Sequence, residues 1–370
     1  MCLAVVNKPL DRLAKPVHAA WPYGARRATA RRRVGILSVL LATTLGACAR
    51  PQGPLFSPLD QERIWPAPPE TPRVKLLGAI GSSADLHAAQ PALEALRSAL
   101  RGRRPPIHLV SPHGIAAGPR NLLAVTDTGG AAVHVIDLQD RSHLRVTGWD
   151  DQRFEVPLGA AWLGDRLFVT DAGRREVIEM DSHGRVHRTF GADVLVRPVG
   201  VAYIGSPDRL YVVDGGAHCL RVFTPDGQLL KTIGQRGAAP GQFNYPSHVA
   251  CRGEVLVVAD SGNFRVQLLD LDGRCLRTIG RKGNGAGDFS LPKGVALDSE
   301  GHLYVVDSHF ENVQVFDDQG RLLLSFGEEG SNLGELSLPA GMAIDLLDRI
   351  WVANAGNRRV EVFEYLRTAL

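Results

Sequence analysis

Two histidines come closest to forming a reactive set in this sequence. His113 directly follows Pro112, and His248 lies two residues after Pro246. A neutral imidazole can act as a base or as a metal ligand, but a catalytic zinc needs three protein ligands and an open position. Side chains alternate along a strand, so we expect His248, one step later than His113, to point away from it. Five similar stretches elsewhere in the chain also begin with a proline, and the residue after that proline is not a matching ligand: Leu158, Val199, Ser247, Lys293 and Ala340.

No nucleophile elbow, P-loop or dinucleotide fingerprint occurs in a suitable context. We therefore predict no catalytic residue, no metal and no cofactor, with His113 and His248 as weak metal candidates.

Carboxylates recur at regular intervals along the chain. Five similar stretches of sequence begin with an aspartate, and a sixth begins with Asn354. The aspartates are Asp127, Asp171, Asp214, Asp260 and Asp307. A reactive cluster would use a few of them, whereas one per repeat indicates a structural role. An Asp at the end of a strand commonly accepts hydrogen bonds from the backbone N–H groups of its own turn.

One cysteine has the surroundings of a modification site. The apolar run from Val34 to Ala47 follows Arg31–Arg33 and has the length of a secretory signal. It ends in Leu45-Gly46-Ala47-Cys48, which resembles the lipobox of bacterial lipoproteins. We expect residues 1–47 to be a signal peptide and Cys48 to carry a covalent lipid such as palmitate. An ordinary signal peptide and a twin-arginine signal are the alternatives. Ala49 after the cysteine favours the outer membrane, facing the periplasm.

The same stretches define the elements that must position these residues. Each repeat of 43 to 47 residues holds a Pro-led strand, an apolar run such as RLYVVD, a turn, and two further β-rich runs. Four short antiparallel strands per repeat are typical of a propeller blade. The sequence predicts an all-β, six-bladed β-propeller over residues 72–370.

The two ends of the chain predict how the ring closes. The sixth repeat runs out before its outer strand, and Pro72–Gly81 (PRVKLLGAIG) resembles the outer strand DGQLLKTIG. An N-terminal strand that completes the last blade would close the ring and remove open edges. Before it, residues 48–71 are rich in proline and predict a semi-rigid tether. A helical insertion is expected at about 83–104, where leucines recur at helical spacing.

The loop and turn sequences resemble a known family. GQRGAAPGQFNYPSHVA, GRKGNGAGDFSLPKGVA and VVADSGNFRVQLLD are similar to NHL repeats, which build six-bladed propellers. The likeness covers about Pro72 to Tyr365. Some NHL-like propellers are peptide-amidating lyases whose Pro-His steps supply three imidazoles to a channel metal. Only Pro112-His113 matches such a step here, so the resemblance does not imply that activity.

In propeller topology, the loops that enter the innermost strands and the turns between strands two and three share one face. We expect this channel face to bind a ligand or partner. Its candidate residues are His113, Arg175, His218, His248, Phe264, Lys293, Phe310 and Arg359.

The charge of the exported part excludes one class of partner. The first 48 residues hold eight basic residues and one acid, which leaves 34 basic and 38 acidic residues in the rest, a net charge of −4. Such a chain has no basic excess for nucleic acid. We expect a monomeric, lipid-anchored protein of the cell envelope that is a non-catalytic scaffold for a protein or peptide. The alternative is a metal-dependent lyase or lactonase at the channel.

Overall fold

The computed structural model describes residues 53–56, 58–59, 61–87 and 105–367. The predicted signal peptide, Cys48 and most of the predicted helical insertion lie outside these residues. The described chain forms six antiparallel sheets, five of four strands and one of five, and one short hairpin, Gly148–Trp149 with Gln152–Arg153. The predicted all-β, six-bladed propeller is confirmed.

The strands of each blade follow one another from the channel outward. The bounds for blades one and two are Pro112–Ala117, Leu122–Asp127, Ala132–Asp137, Ser142–Val146, then Pro157–Leu163, Arg166–Asp171, Glu176–Asp181, Val186–Phe190. Those for blades three and four are Pro198–Gly205, Asp208–Asp214, Cys219–Phe223, Leu229–Ile233, then His248–Arg252, Val255–Asp260, Arg265–Asp270, Cys275–Ile279. Those for blades five and six are Pro292–Leu297, Leu303–Asp307, Asn312–Phe316, Leu322–Phe326, then Pro339–Ile344, Arg349–Asn354, Arg359–Tyr365.

The N-terminal strand closes the ring as the sequence predicts. Val74–Ile80 pairs antiparallel with Arg359–Tyr365 and is the outer strand of blade six. Its inward side chains, Val74, Leu76 and Ile80, are almost completely buried. The first strand of blade six also contacts that of blade one, so no blade is left at an open end of the ring.

The innermost strands approach one another too closely for side chains at one position. In five blades this position is glycine, and a Cβ at Gly114 would lie 2.2 Å from the carbonyl oxygen of Leu158 in the next blade. Gly200 faces the Cα of His248, which occupies the glycine position in blade four. The channel therefore has one bulky side chain where the other blades have none.

Apolar side chains between neighbouring sheets form the core. The cluster between blades three and four, for example, joins Tyr211, Val213, Val258 and Leu269. Alternate residues of each central strand face opposite neighbours, so the hydrophobic runs of the sequence are buried on both sides.

The segment before the closing strand is partly docked on the ring. Ile64–Trp65 adds a fifth strand to blade six, and the Trp65 ring lies 5.7 Å from that of Phe363. An Arg141 guanidinium donates to the carbonyl oxygen of Pro54. Thus the described part of the predicted tether contacts the blades instead of standing free.

The described start of the predicted helical insertion is a four-residue 3-10 helix, Ser83–Leu86, which is capped by Ser82 and ends at His87. Two other 3-10 turns are Pro119–Asn121 and Ser261–Asn263. Among the described residues, no helix is long and apolar enough to cross a membrane.

Candidate functional site

The repeated aspartates fix the loops of the channel face. The Asp307 carboxylate accepts hydrogen bonds from the backbone N–H groups of Ser290 and Leu291, in the loop that enters its blade. It also accepts from His309 and Phe310 in the turn after strand two. Asp127, Asp171 and Asp214 join loop and turn in the same way. The predicted structural role is confirmed for these four and extends beyond the turn to the neighbouring loop, whereas Asp260 accepts one loop N–H, from Asn244, and pairs with the Arg265 guanidinium.

These fixed loops present one large apolar side chain per blade to solvent. Each lies one or two residues before the innermost strand or its proline, and its exposed fraction ranges from 38% to 61%. We call this set the apolar crown: Val110, Val156, Val196, Tyr245, Leu291 and Leu338. In four blades the backbone N–H of the crown residue donates to the repeated aspartate. The N–H of Tyr245 donates to His218 Nδ1, and that of Leu338 donates to the Glu311 carboxylate. The crown therefore lies on the loops that enter the six blades, and side-chain hydrogen bonds hold its backbone.

Within the crown, the channel opens into a cavity of about 160 Å³. Its polar lining consists of His113, Arg197, Ser247, His248 and Lys293. The expectation that His248 points away from His113 is wrong, because both imidazoles line this cavity. The reason is that His248 stands at the glycine position, from which a side chain extends along the channel wall towards the next blade.

Backbone partners fix complementary tautomers of the two imidazoles. His113 Nδ1 lies 3.1 Å from the carbonyl oxygen of Leu158. A carbonyl can only accept, so Nδ1 carries the hydrogen and Nε2 is left as an acceptor. His248 Nδ1 lies 3.3 Å from the backbone nitrogen of Val295 and accepts its hydrogen, which makes Nε2 a donor. The pair therefore offers one acceptor and one donor.

Both imidazoles are neutral at neutral pH. Desolvation by the surrounding protein lowers the pKa of His113 to about 4, helped by the positive charges of Lys293 and Arg197. Desolvation also lowers the pKa of His248 to about 4, and His113 contributes to the shift.

The cavity is positively charged. Burial lowers the pKa of Lys293, although the ammonium remains the usual form of a lysine at neutral pH. Among the described residues, neither Lys293 nor Arg197 forms a side-chain ion pair, and no acidic residue lines the cavity. Arg197 is exposed, but the half-buried Lys293 ammonium is held partly out of water without a counter-ion, which is unfavourable, and an anion would relieve that cost.

The remaining predicted residues lie on the same face, but several are engaged within the protein. The Arg359 guanidinium bonds to Glu361 and to two loop carbonyl oxygens, of Ser331 and Asn332. His218 is buried, and its ring contacts the tilted ring of Tyr245 at 4.4 Å between ring centroids.

Three predicted residues remain more accessible. Arg175 is exposed and donates to the Leu195 carbonyl oxygen. Phe264 and Phe310 are half-buried in their turns, and the Lys282 ammonium lies 5.1 Å from the centre of the Phe264 ring. Thus only His113, His248 and Lys293 of the predicted set meet in the cavity. Sequence reasoning missed Arg197, which directly precedes Pro198.

The donor set does not match a catalytic metal site. Within the described residues, no three His, Cys, Asp or Glu side chains are grouped so that they could hold a metal ion. Of the two channel imidazoles only His113 leaves an unprotonated Nε2, because His248 Nδ1 accepts from the Val295 N–H, and the neighbouring positive charges of Lys293 and Arg197 disfavour a cation.

Comparisons with known proteins agree with the architecture. The model of the NHL repeat family matches residues 289–316, which span the end of the loop into blade five and its first three strands. No curated protein sequence matches the chain. Similar solved structures include a gluconolactonase from Xanthomonas campestris, with a TM-score of 0.54 and 18% identity over 70% of this chain and 87% of that one.

Two further structures are similar over the same share of this chain. Virginiamycin B lyase from Staphylococcus aureus has a TM-score of 0.52 and 12% identity, covering 70% of this chain and 96% of its own. An auxiliary nutrient binding protein from Bacteroides thetaiotaomicron has 0.54 and 14%, covering 70% of both. At these identities the likeness concerns the fold alone. The chain is thus a six-bladed β-propeller in which one repeat, residues 289–316, matches the NHL repeat family.

Proposed function

We propose that the protein is a non-catalytic scaffold that holds a protein or peptide partner on its channel face. The observation that carries this proposal is the apolar crown. Exposed apolar side chains are ordinary when they are scattered, whereas here every blade presents one at the same place on one face. Here six of them surround a polar cavity, which matches the usual arrangement of an apolar contact area with a few orienting polar groups.

The rigidity of the loops supports the same proposal. Because buried side chains hold the backbone on either side of each crown residue, little conformational entropy is lost when a partner binds. A metal-dependent lyase or lactonase is less well supported, since the channel offers two imidazoles and two cations instead of a set of metal ligands.

The scaffold is proposed to act at the cell envelope, anchored in a membrane by lipid on Cys48. A Cys48→Ala variant should lose the lipid mass and move from the membrane to the soluble fraction. Retention of that variant in membranes would contradict the anchor without bearing on the crown.

The test of the binding face compares two triple variants with equal added charge. One replaces crown residues by aspartate: Val196, Leu291 and Leu338. Its matched control replaces three similarly exposed leucines of outer strands, with exposed fractions of 45%, 53% and 48%: Leu230, Leu276 and Leu323. Crosslinking in intact cells followed by mass spectrometry should yield adducts with the wild type and the control but not with the crown variant. Equal adducts from both variants would overturn the proposed face.

A further inference from the structure

The channel cavity contains a recognition pattern that the crown alone does not explain. Three groups can donate to an anion at its floor and rim: the Lys293 ammonium, His248 Nε2–H and the Arg197 guanidinium. One group, His113 Nε2, can only accept while the ring is neutral. A ligand that combines a negative group with a nearby N–H or O–H donor would therefore satisfy both kinds of group.

The charge of the cavity contrasts with that of the chain. Residues 49–370 carry a net charge of −4, yet the part of the chain that the structure describes places Lys293 and Arg197 at the cavity with no ion-pair partner and no acid beside them. General attraction of anions to the whole surface is therefore not expected, and selectivity must come from the cavity itself.

The surroundings of the cavity indicate a ligand larger than the cavity. A volume of about 160 Å³ accommodates a carboxylate and a few neighbouring atoms, and it opens directly onto the apolar crown. Tyr245 belongs to both the lining and the crown, so the two surfaces are continuous. A chain whose end enters the cavity would lay its preceding residues across the crown.

We infer that this cavity binds the C-terminal carboxylate of a polypeptide partner. The carboxylate accepts from Lys293 and from His248 Nε2–H, with Arg197 at the rim, while His113 Nε2 accepts the backbone N–H of the last residue. Charge-assisted hydrogen bonds of this kind are the strong ones, and capture of a chain terminus is a known mode of peptide recognition. An acyl chain carries no N–H beside its carboxylate, and so leaves His113 without a partner. The inference rests on the proposed function, because it names which part of the partner enters the channel.

The test uses the full-length chain in mild detergent and two random hexapeptide pools, one with free C-terminal carboxylates and one with C-terminal amides. Affinity selection with mass spectrometry should retain members of the acid pool and far fewer of the amide pool. For one retained peptide, Lys293→Met should weaken binding by about 10- to 100-fold. Arg358→Met removes an equal charge from an exposed turn residue outside the cavity and should change binding little.

The outcomes separate this inference from the proposed function. Equal retention of both pools, retention of neither, or unchanged affinity in Lys293→Met would overturn the carboxylate site. If retained peptides lose affinity in the crown variant but bind as acids and amides alike, the crown proposal stands and only the carboxylate site fails. If they lose affinity in Lys293→Met but not in the crown variant, the cavity stands and the crown fails.

Discussion

Replacing Asp307 by alanine should both destabilise the propeller and loosen one segment of the crown. The Asp307 side chain is completely buried and accepts backbone hydrogen bonds from two segments, the loop at Ser290–Leu291 and the turn at His309–Phe310. Alanine cannot accept any of them. The four N–H groups would then need water or new partners in a position that the native packing does not provide.

The magnitude follows from the number and type of these bonds. A hydrogen bond to a charged group contributes about 1.5–3 kcal/mol, but the four share one carboxylate and their contributions are not additive. Solvent can also reach the exposed turn. We therefore expect the free energy of unfolding to fall by about 3–5 kcal/mol, as for removal of one partner of a buried charged network. Asp307→Asn keeps one accepting oxygen, as Asn354 does in blade six, and should lose about half as much.

Urea denaturation of the chain that begins at Arg50 measures this loss, and an unchanged m-value would show that the same surface unfolds. Hydrogen exchange should accelerate at the Leu291 amide in particular, because its acceptor is gone. A loss below about 1 kcal/mol for Asp307→Ala, or unchanged exchange at Leu291, would refute the assignment of the repeated carboxylates as loop anchors.

Three further predictions concern the channel and the ring. At pH 6, nitrogen NMR should find the imidazoles of His113 and His248 neutral and in opposite tautomers. The pKa of about 4 in the folded protein lies below the unfolded value of about 6.5, so the free energy of unfolding should fall as the pH falls from 6.5 to 4. A charged ring at pH 6 would contradict this prediction. Gly114→Ala places a Cβ 2.2 Å from a carbonyl oxygen of the next blade and should cost about 1–3 kcal/mol in urea unfolding, whereas Gly205→Ala, with nothing closer than 3.6 Å, should not. A chain lacking the strand Val74–Ile80 should expose open edges and self-associate in light scattering; a stable monomer would argue against closure by this strand.

Periodic features made most of the fold predictable. Six similar stretches fix the number of blades, because each repeats the same strands and turns. The spare strand at Pro72–Gly81 predicts closure, since the sixth repeat lacks its outer strand. The role of the repeated aspartates also follows from their regularity, and the structure adds the partner loop that no local pattern reveals.

The site was harder to predict because its geometry depends on the ring. The alternation of side chains along a strand suggested that His248 faces away from His113. That rule describes the two faces of one sheet, whereas the His248 side chain extends from the channel wall towards the next blade. Likewise, its place on a turn made Arg359 a candidate for the binding face, whereas its guanidinium donates to carbonyl oxygens of a loop about 28 residues earlier. The apolar crown did leave a signal, since a large apolar residue stands one or two positions before every blade-entry proline.

Site-specific photocrosslinking can show whether a partner binds on the channel face. A photoreactive phenylalanine analogue at Leu338, on the crown, is compared in intact cells with the same analogue at Leu323, a similarly exposed residue on an outer strand. We expect a discrete adduct at Leu338 that is absent at Leu323, with the crosslinked peptide lying near the end of the partner chain. Adducts at Leu323 but not at Leu338 would contradict this expectation.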